Sequence, residues 1–175
     1  MRWLTFITLV VLVVSLQSTV AGRLTCLGAA PDWVLVLVVF YALHARADQA
    51  MAAGWLAGAL ADLLTIERFG LLSLTYGLVA LAVCQVRDWM FTRHPLTHFG
   101  LTLAAAVVVR VGWLVYRAAF DLPGDGVLAL GWSCVYTALW APPLHWVLLK
   151  MPRVLGIRRS GLRSARAPRA RGQRV

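Results

Sequence analysis

Six apolar stretches fill residues 3–149, and behind them Lys150–Val175 carries nine basic residues and no acidic one. Apolar runs of this length partition into lipid, whereas clustered arginines resist translocation, so this arrangement constrains the chain to a bilayer with its tail on the cytoplasmic side. Composition agrees: of 175 residues 61% are hydrophobic and only 14% are charged, too apolar for a soluble domain of this size. Nine of the 17 basic residues lie in the tail, so the rest of the chain, which holds all seven acidic residues, is nearly neutral despite a net charge of +10.

The expected spans are 3–21, 31–47, 50–66, 71–86, 97–117 and 127–149, each close to what a ~30 Å hydrocarbon core requires at about 1.5 Å per residue. The second, third and fourth sit near the lower limit. Gly22–Ala30, Asp48–Gln49, Glu67–Gly70, Arg87–Leu96 and Ala118–Gly126 connect them and leave no room for a soluble domain. With both ends cytoplasmic, Arg2, Arg46, Arg87, Arg93 and the nine tail residues face inward while Arg23, Arg68 and Arg117 face outward, satisfying the positive-inside rule. The fold class is therefore all-α, a polytopic six-helix transmembrane bundle over 1–149 followed by a disordered Arg-rich tail over 150–175. The first span also has the outline of a cleavable signal peptide, with Arg2, an apolar run and small residues before Gly22. We read it as a retained helix.

Asp62 and Arg110 are the charges inside apolar segments, and at about 18–20 Å from the inner surface they lie at matching depth. Burial of either is costly without a partner, which predicts an intramembrane Asp62–Arg110 ion pair acting as a helix clamp. Gly54, Gly58 and Asp62 share one helical face at i, i+4, i+8, where backbones can approach closely, either inside the bundle or against a partner's helix. Self-association through such a face is left open. Gln17, Asp62, Arg110 and Tyr136 are the polar residues available to line a cavity.

His94 and His98 are four apart but flank Pro95, with no Asp, Glu or Cys nearby to complete a ligand set, so a solvated interfacial pair is expected; His145 is isolated. No metal site and no cofactor is predicted. Pro142–Pro143 should kink the last span by removing two backbone donors. Cys26, Cys84 and Cys134 lack CxxC spacing and read as free thiols. Trp3, Trp33, Trp89 and Trp146 fall near predicted span ends, where indole rings favour the headgroup level. Arg153, Arg158, Arg159 and Arg163 head the part of the tail expected to lie near anionic lipid headgroups; no aromatic residues interleave with these arginines to stack on bases, so nucleic acid is not the expected partner. The chain has no GxSxG, HExxH, P-loop or paired catalytic carboxylates, and nothing suggests an enzyme.

The sequence resembles the MreD family of bacterial rod shape-determining membrane proteins. The resemblance rests on Leu16-Gln17-Ser18-Thr19, on Pro31-Asp32, on Gly54, Gly58 and Asp62 at four-residue spacing followed by Leu63-Leu64, and on the run from Phe69-Gly70 to Tyr76. Glu67-Arg68 and the long tail depart from the family's pattern. The resemblance implies a non-enzymatic scaffold of the cell-elongation (rod) complex that binds the bitopic protein MreC and works with the MreB filament. Through them it would be coupled to a SEDS glycosyltransferase and its transpeptidase in lateral peptidoglycan synthesis. It also implies an architecture similar to the substrate-binding S-components of energy-coupling factor transporters. That similarity keeps a second reading alive, a vitamin-type small-molecule carrier, which would need a cavity with convergent polar groups.

Overall fold

A computed structural model describes residues 3–21, 23, 29–63, 70–87, 95–121 and 127–150. Among them are six α-helices: α1 (Trp3–Leu16), α2 (Trp33–His44), α3 (Ala47–Asp62), α4 (Leu71–Arg87), α5 (Pro95–Ala119) and α6 (Val127–Leu149). α1 is continued by a π-helical turn over Gln17–Ala21.

α2 is the axis of the molecule. Its sequence is hydrophobic on every side, which only a helix enclosed by others can tolerate, and every residue from Trp33 to Leu43 is buried. α1 lays Phe6, Val10 and Val14 against it at i, i+4, i+8, with the Phe6 ring edge-on to Tyr41 at 4.6 Å between centroids. α3 contributes Ala50, Ala53 and Ala57 to the same core, α4 Tyr76, Val79, Ala80 and Val83, and α5 Leu101, Ala105, Ala106 and Val109.

The outer surface inverts the pattern of a soluble domain. Leu4, Leu12, Leu74, Val115 and Leu139 are each at least 60% exposed, whereas Asp62, His98, Thr102, Arg117, Thr137 and His145 are buried. Apolar outside and polar groups gathered inside is the arrangement that lipid imposes.

Helix lengths differ from the expected spans. Among the described residues, the helix long and apolar enough to cross a membrane is Leu96–Ala119 in α5; Leu4–Val20, Trp33–His44 and Leu71–Arg87 are shorter apolar helices. α2, with 12 residues, is about 18 Å long. It need not reach water, because its ends are met by polar side chains of its neighbours. The second connection also moves: Asp48 and Gln49 are helical, and the break falls at Ala45–Arg46, where both residues are extended. Asp48 suits the first turn of α3, where a carboxylate complements the helix dipole, and it pairs with Arg46 at 3.5 Å. α6 stays helical through Pro142 and Pro143. The prolines leave the carbonyls of Ala138 and Leu139 without their helical donors, and one turn on, His145 Nδ1 lies 2.8 Å from the carbonyl of Ala141. Trp33 does not sit at an interface; it is buried, edge-on to Trp140 at 5.7 Å. Trp146 is exposed, with Lys150 Nζ 3.5 Å from its ring centroid. Cys84 and Cys134 are both buried. Trp89, Cys26 and the tail with Arg153, Arg158, Arg159 and Arg163 lie outside the described residues.

Candidate functional site

A helix that starts inside a low-dielectric bundle must have its first N–H groups satisfied by side chains, since water cannot reach them. At the start of α2 three elements supply these bonds. Asp32 caps its own helix, Oδ1 accepting from Leu35 N at 3.0 Å, and its backbone N donates to Thr137 Oγ1 of α6 at 3.1 Å. Gln17, the first residue of the π-helical turn, accepts from Val34 N through Oε1 at 3.2 Å. Tyr76 of α4, fully buried, donates its hydroxyl to Asp32 Oδ2 at 2.5 Å. α1, α2, α4 and α6 are thus joined at one point by polar contacts.

The other end of α2 is closed by α4. Arg87 Nη1 donates to the carbonyls of Ala42, at 3.2 Å, and Ala45, and Cys84 Sγ donates to Ala42 O at 3.1 Å. A cation suits this end because the last carbonyls of a helix carry its partial negative charge.

Asp62 does not pair with Arg110. It is the last residue of α3, only 1% exposed, and its carboxylate accepts from the backbone N–H groups of Gly70 (3.0 Å), Leu72 (3.3 Å) and Ser73 (3.0 Å). Three donors at the positive end of α4 compensate the burial of this carboxylate without ordering a second long side chain. Gly54 and Gly58 explain how α4 comes so near. A Cβ on Gly54 would lie 2.5 Å from Tyr76 O, and one on Gly58 would lie 2.4 Å from Leu72 O and from Ser73 Cα. The glycine face is therefore filled by α4 and is not free for a partner's helix. Ser73 Oγ donates back to Trp55 O at 3.1 Å and ties the two helices from the other side.

Arg110 of α5 donates through Nη2 to Ser133 Oγ of α6 at 2.6 Å, and Ser133 Oγ lies 3.5 Å from Ala30 O, just before α2. With Asp32, Leu71, Leu72, Thr75, Val109 and Trp113, Arg110 lines a partly open cleft of about 70 Å³. Of the four residues expected to line a cavity, this cleft takes Arg110; Gln17, Asp62 and Tyr136 are not in its wall. Its volume is well below the roughly 300–1,000 Å³ of sites that enclose a vitamin-sized molecule.

His98 is not at an interface but buried and stacked on His145, 4.4 Å between centroids, and Phe40 meets the His145 ring edge-on at 5.2 Å. His94 lies outside the described residues. The partners that sequence reasoning passed over are the buried Tyr76, Ser133 and Thr137 and the half-buried Arg87. Asp32 alone carried a readable signal, an aspartate immediately before a long apolar run, which marks a helix N-cap. Residues 1–153 match the family model described as rod shape-determining protein MreD. No curated protein and no solved structure matches the chain.

Proposed function

Because the chain belongs to the MreD family, and so has a role in rod shape determination as a membrane protein, we propose that it acts as a non-enzymatic scaffold of the cell-elongation complex. In this reading it binds an MreC-like bitopic protein and, through it, couples the MreB filament to the glycosyltransferase and transpeptidase that insert lateral peptidoglycan. All six helices cross the membrane, both termini are cytoplasmic, and the Arg-rich tail rests on anionic headgroups.

The observation that supports this reading is where the molecule spends its polar groups. They bond its own helix ends: Asp32, Gln17, Tyr76 and Thr137 at one end of α2, Arg87 at the other, and Asp62 at the start of α4. What is left facing outward is apolar helix surface, suited to helix–helix recognition in lipid. A carrier would instead turn convergent polar groups onto a large cavity, and the cleft at Arg110 is too small for that role.

One exposed stripe offers a direct test. Leu96, Gly100, Ala104 and Val108 lie along the outer face of α5, and a side chain at Gly100 would meet open space within the chain. Gly100→Leu therefore leaves the bundle intact and disturbs only what packs against it. A tagged copy is purified from its native membrane in mild detergent, and bound proteins and small molecules are identified by mass spectrometry. The scaffold reading expects an MreC-like bitopic protein with cell-wall synthases, reduced by Gly100→Leu. Recovery of a transporter motor or a bound vitamin overturns it.

A further inference from the structure

Among the described residues, Arg110 makes one side-chain hydrogen bond, to Ser133 Oγ, although a guanidinium carries five N–H donors. The bond to Ser133 fixes one Nη and orients the group, leaving the rest of the fork to the cleft that Arg110 helps to line. A cation with spare donors inside an apolar bundle draws an anion, and arginine's planar fork suits the paired oxygens of a phosphate. The cleft is small, about 70 Å³, and partly open, which suits a phosphate group whose attached chains leave along the surface.

The position of the cleft points to the membrane as the source of that anion. It lies at the end of the bundle away from the tail, where α2 and α4 begin, with Asp32, Leu71 and Leu72 in its wall. α3 and α4 have 16 and 17 residues, or about 24–26 Å, and a bilayer of ~30 Å thins beside helices that short. Leu71, the first residue of α4, lines the cleft with Arg110, so the cleft opens at the level where α4 begins. Below the cleft, Leu74 and Leu78 of α4 and Val107 and Val108 of α5 are exposed and give hydrocarbon chains a surface to follow. Asp32 is the second charged residue at the cleft. Its carboxylate, already bonded to Tyr76 and Leu35, also borders the cleft and balances the guanidinium's charge, so free inorganic phosphate, which lacks the apolar contacts of attached chains, is held more weakly than a lipid phosphodiester.

We propose that the Arg110 cleft binds the phosphate of a membrane phospholipid, with the lipid chains lying along the apolar α4–α5 surface. The site requires no partner protein and is distinct from the tail, which meets the opposite leaflet.

Native mass spectrometry of the purified full-length chain tests this, titrated with dioleoylphosphatidylglycerol, with dioleoylglycerol, and with inorganic phosphate as competitor. One phosphatidylglycerol should bind tightly, dioleoylglycerol at least tenfold more weakly, and a large excess of inorganic phosphate should not displace the lipid. Arg110→Gln should weaken the tight copy at least tenfold. Leu71→Trp, which fills the cleft and keeps the guanidinium, should do the same. A variant with Arg153, Arg158, Arg159 and Arg163 all changed to Gln should lose weakly held lipid and keep the tight copy. Equal binding of the two lipids, displacement by inorganic phosphate, unchanged affinity in both cleft variants, or loss of the tight copy with the tail arginines would each overturn the assignment.

Discussion

Gly58→Ala adds one methyl group where α3 crosses α4, and the structure sets what that methyl meets. The new Cβ would lie 2.4 Å from both Leu72 O and Ser73 Cα, whereas ordinary contact begins near 3.4 Å. Both neighbours are backbone, so no rotamer change relieves the clash and the helices must part by about 1 Å. Parting them strains the two bonds that depend on the approach, Ser73 N to Asp62 Oδ2 and Ser73 Oγ to Trp55 O. Overpacking of this kind costs about 1–3 kcal/mol and loss of a hydrogen bond about 1 kcal/mol, against a gain of about 1 kcal/mol from alanine's helix propensity. Rigid neighbours put the clash at the upper end, for a net loss of about 3 kcal/mol. Gly77 is the internal control. A Cβ there finds its nearest neighbours at 3.7 and 3.8 Å, in ordinary contact, so Gly77→Ala should be neutral or stabilising by up to about 1 kcal/mol. Denaturation of the purified proteins in mixed micelles with rising SDS, followed by the fluorescence of the eight tryptophans, measures both. Gly58→Ala unfolding at the same SDS fraction as Gly77→Ala would refute the reasoning, because the close approach would then have no energetic consequence.

Asp62→Ala removes the acceptor for three N–H groups in a buried setting and should destabilise by at least about 3 kcal/mol in the same assay, with Asp62→Asn intermediate. Since Asp62 and Arg110 do not pair, Asp62→Asn and Arg110→Gln should combine to within about 0.5 kcal/mol of additivity; a larger coupling would restore the ion pair. Arg87→Met deprives the Ala42 and Ala45 carbonyls of a charged donor and should cost about 1.5–3 kcal/mol, an effect that disappears if another group already closes α2. In a Cys26→Ser background, Arg23→Cys should react with an impermeant maleimide on intact cells, and Arg46→Cys only after permeabilisation. The reverse pattern would invert the proposed topology.

Much of the fold is legible along the chain, because lipid asks only for apolar length and helices answer it. The expected and observed limits coincide for α6 at 127–149 and nearly so for α4 and α5. α2 and α3 are displaced because a run of apolar residues does not say where a buried helix stops. α2 ends at His44, where Arg87 and Cys84 are in place to receive its carbonyls, and those residues lie more than 40 positions away in sequence. Asp62 could be picked out as an expensive charge needing compensation, and Gly54 and Gly58 as a close-packing face. Their partner could not, because equal depth made Arg110 the natural counter-charge while the N-terminus of α4 offers backbone donors that no side-chain inventory reveals. The family was equally legible, since the spacing of Gly54, Gly58 and Asp62 survives in one dimension.

The sequence by itself determined the environment, the helical class and the residues whose burial had to be compensated, because these follow from transfer free energy and helical periodicity, which are local. Tertiary structure decided which groups do the compensating. It turned Asp62 onto α4 and Gln17 and Tyr76 onto the start of α2, and it left Arg110 bonded to Ser133 at the edge of an open cleft. Hydrogen bonds are directional and short, so their partners depend on how six helices cross and not on the order in which they are strung.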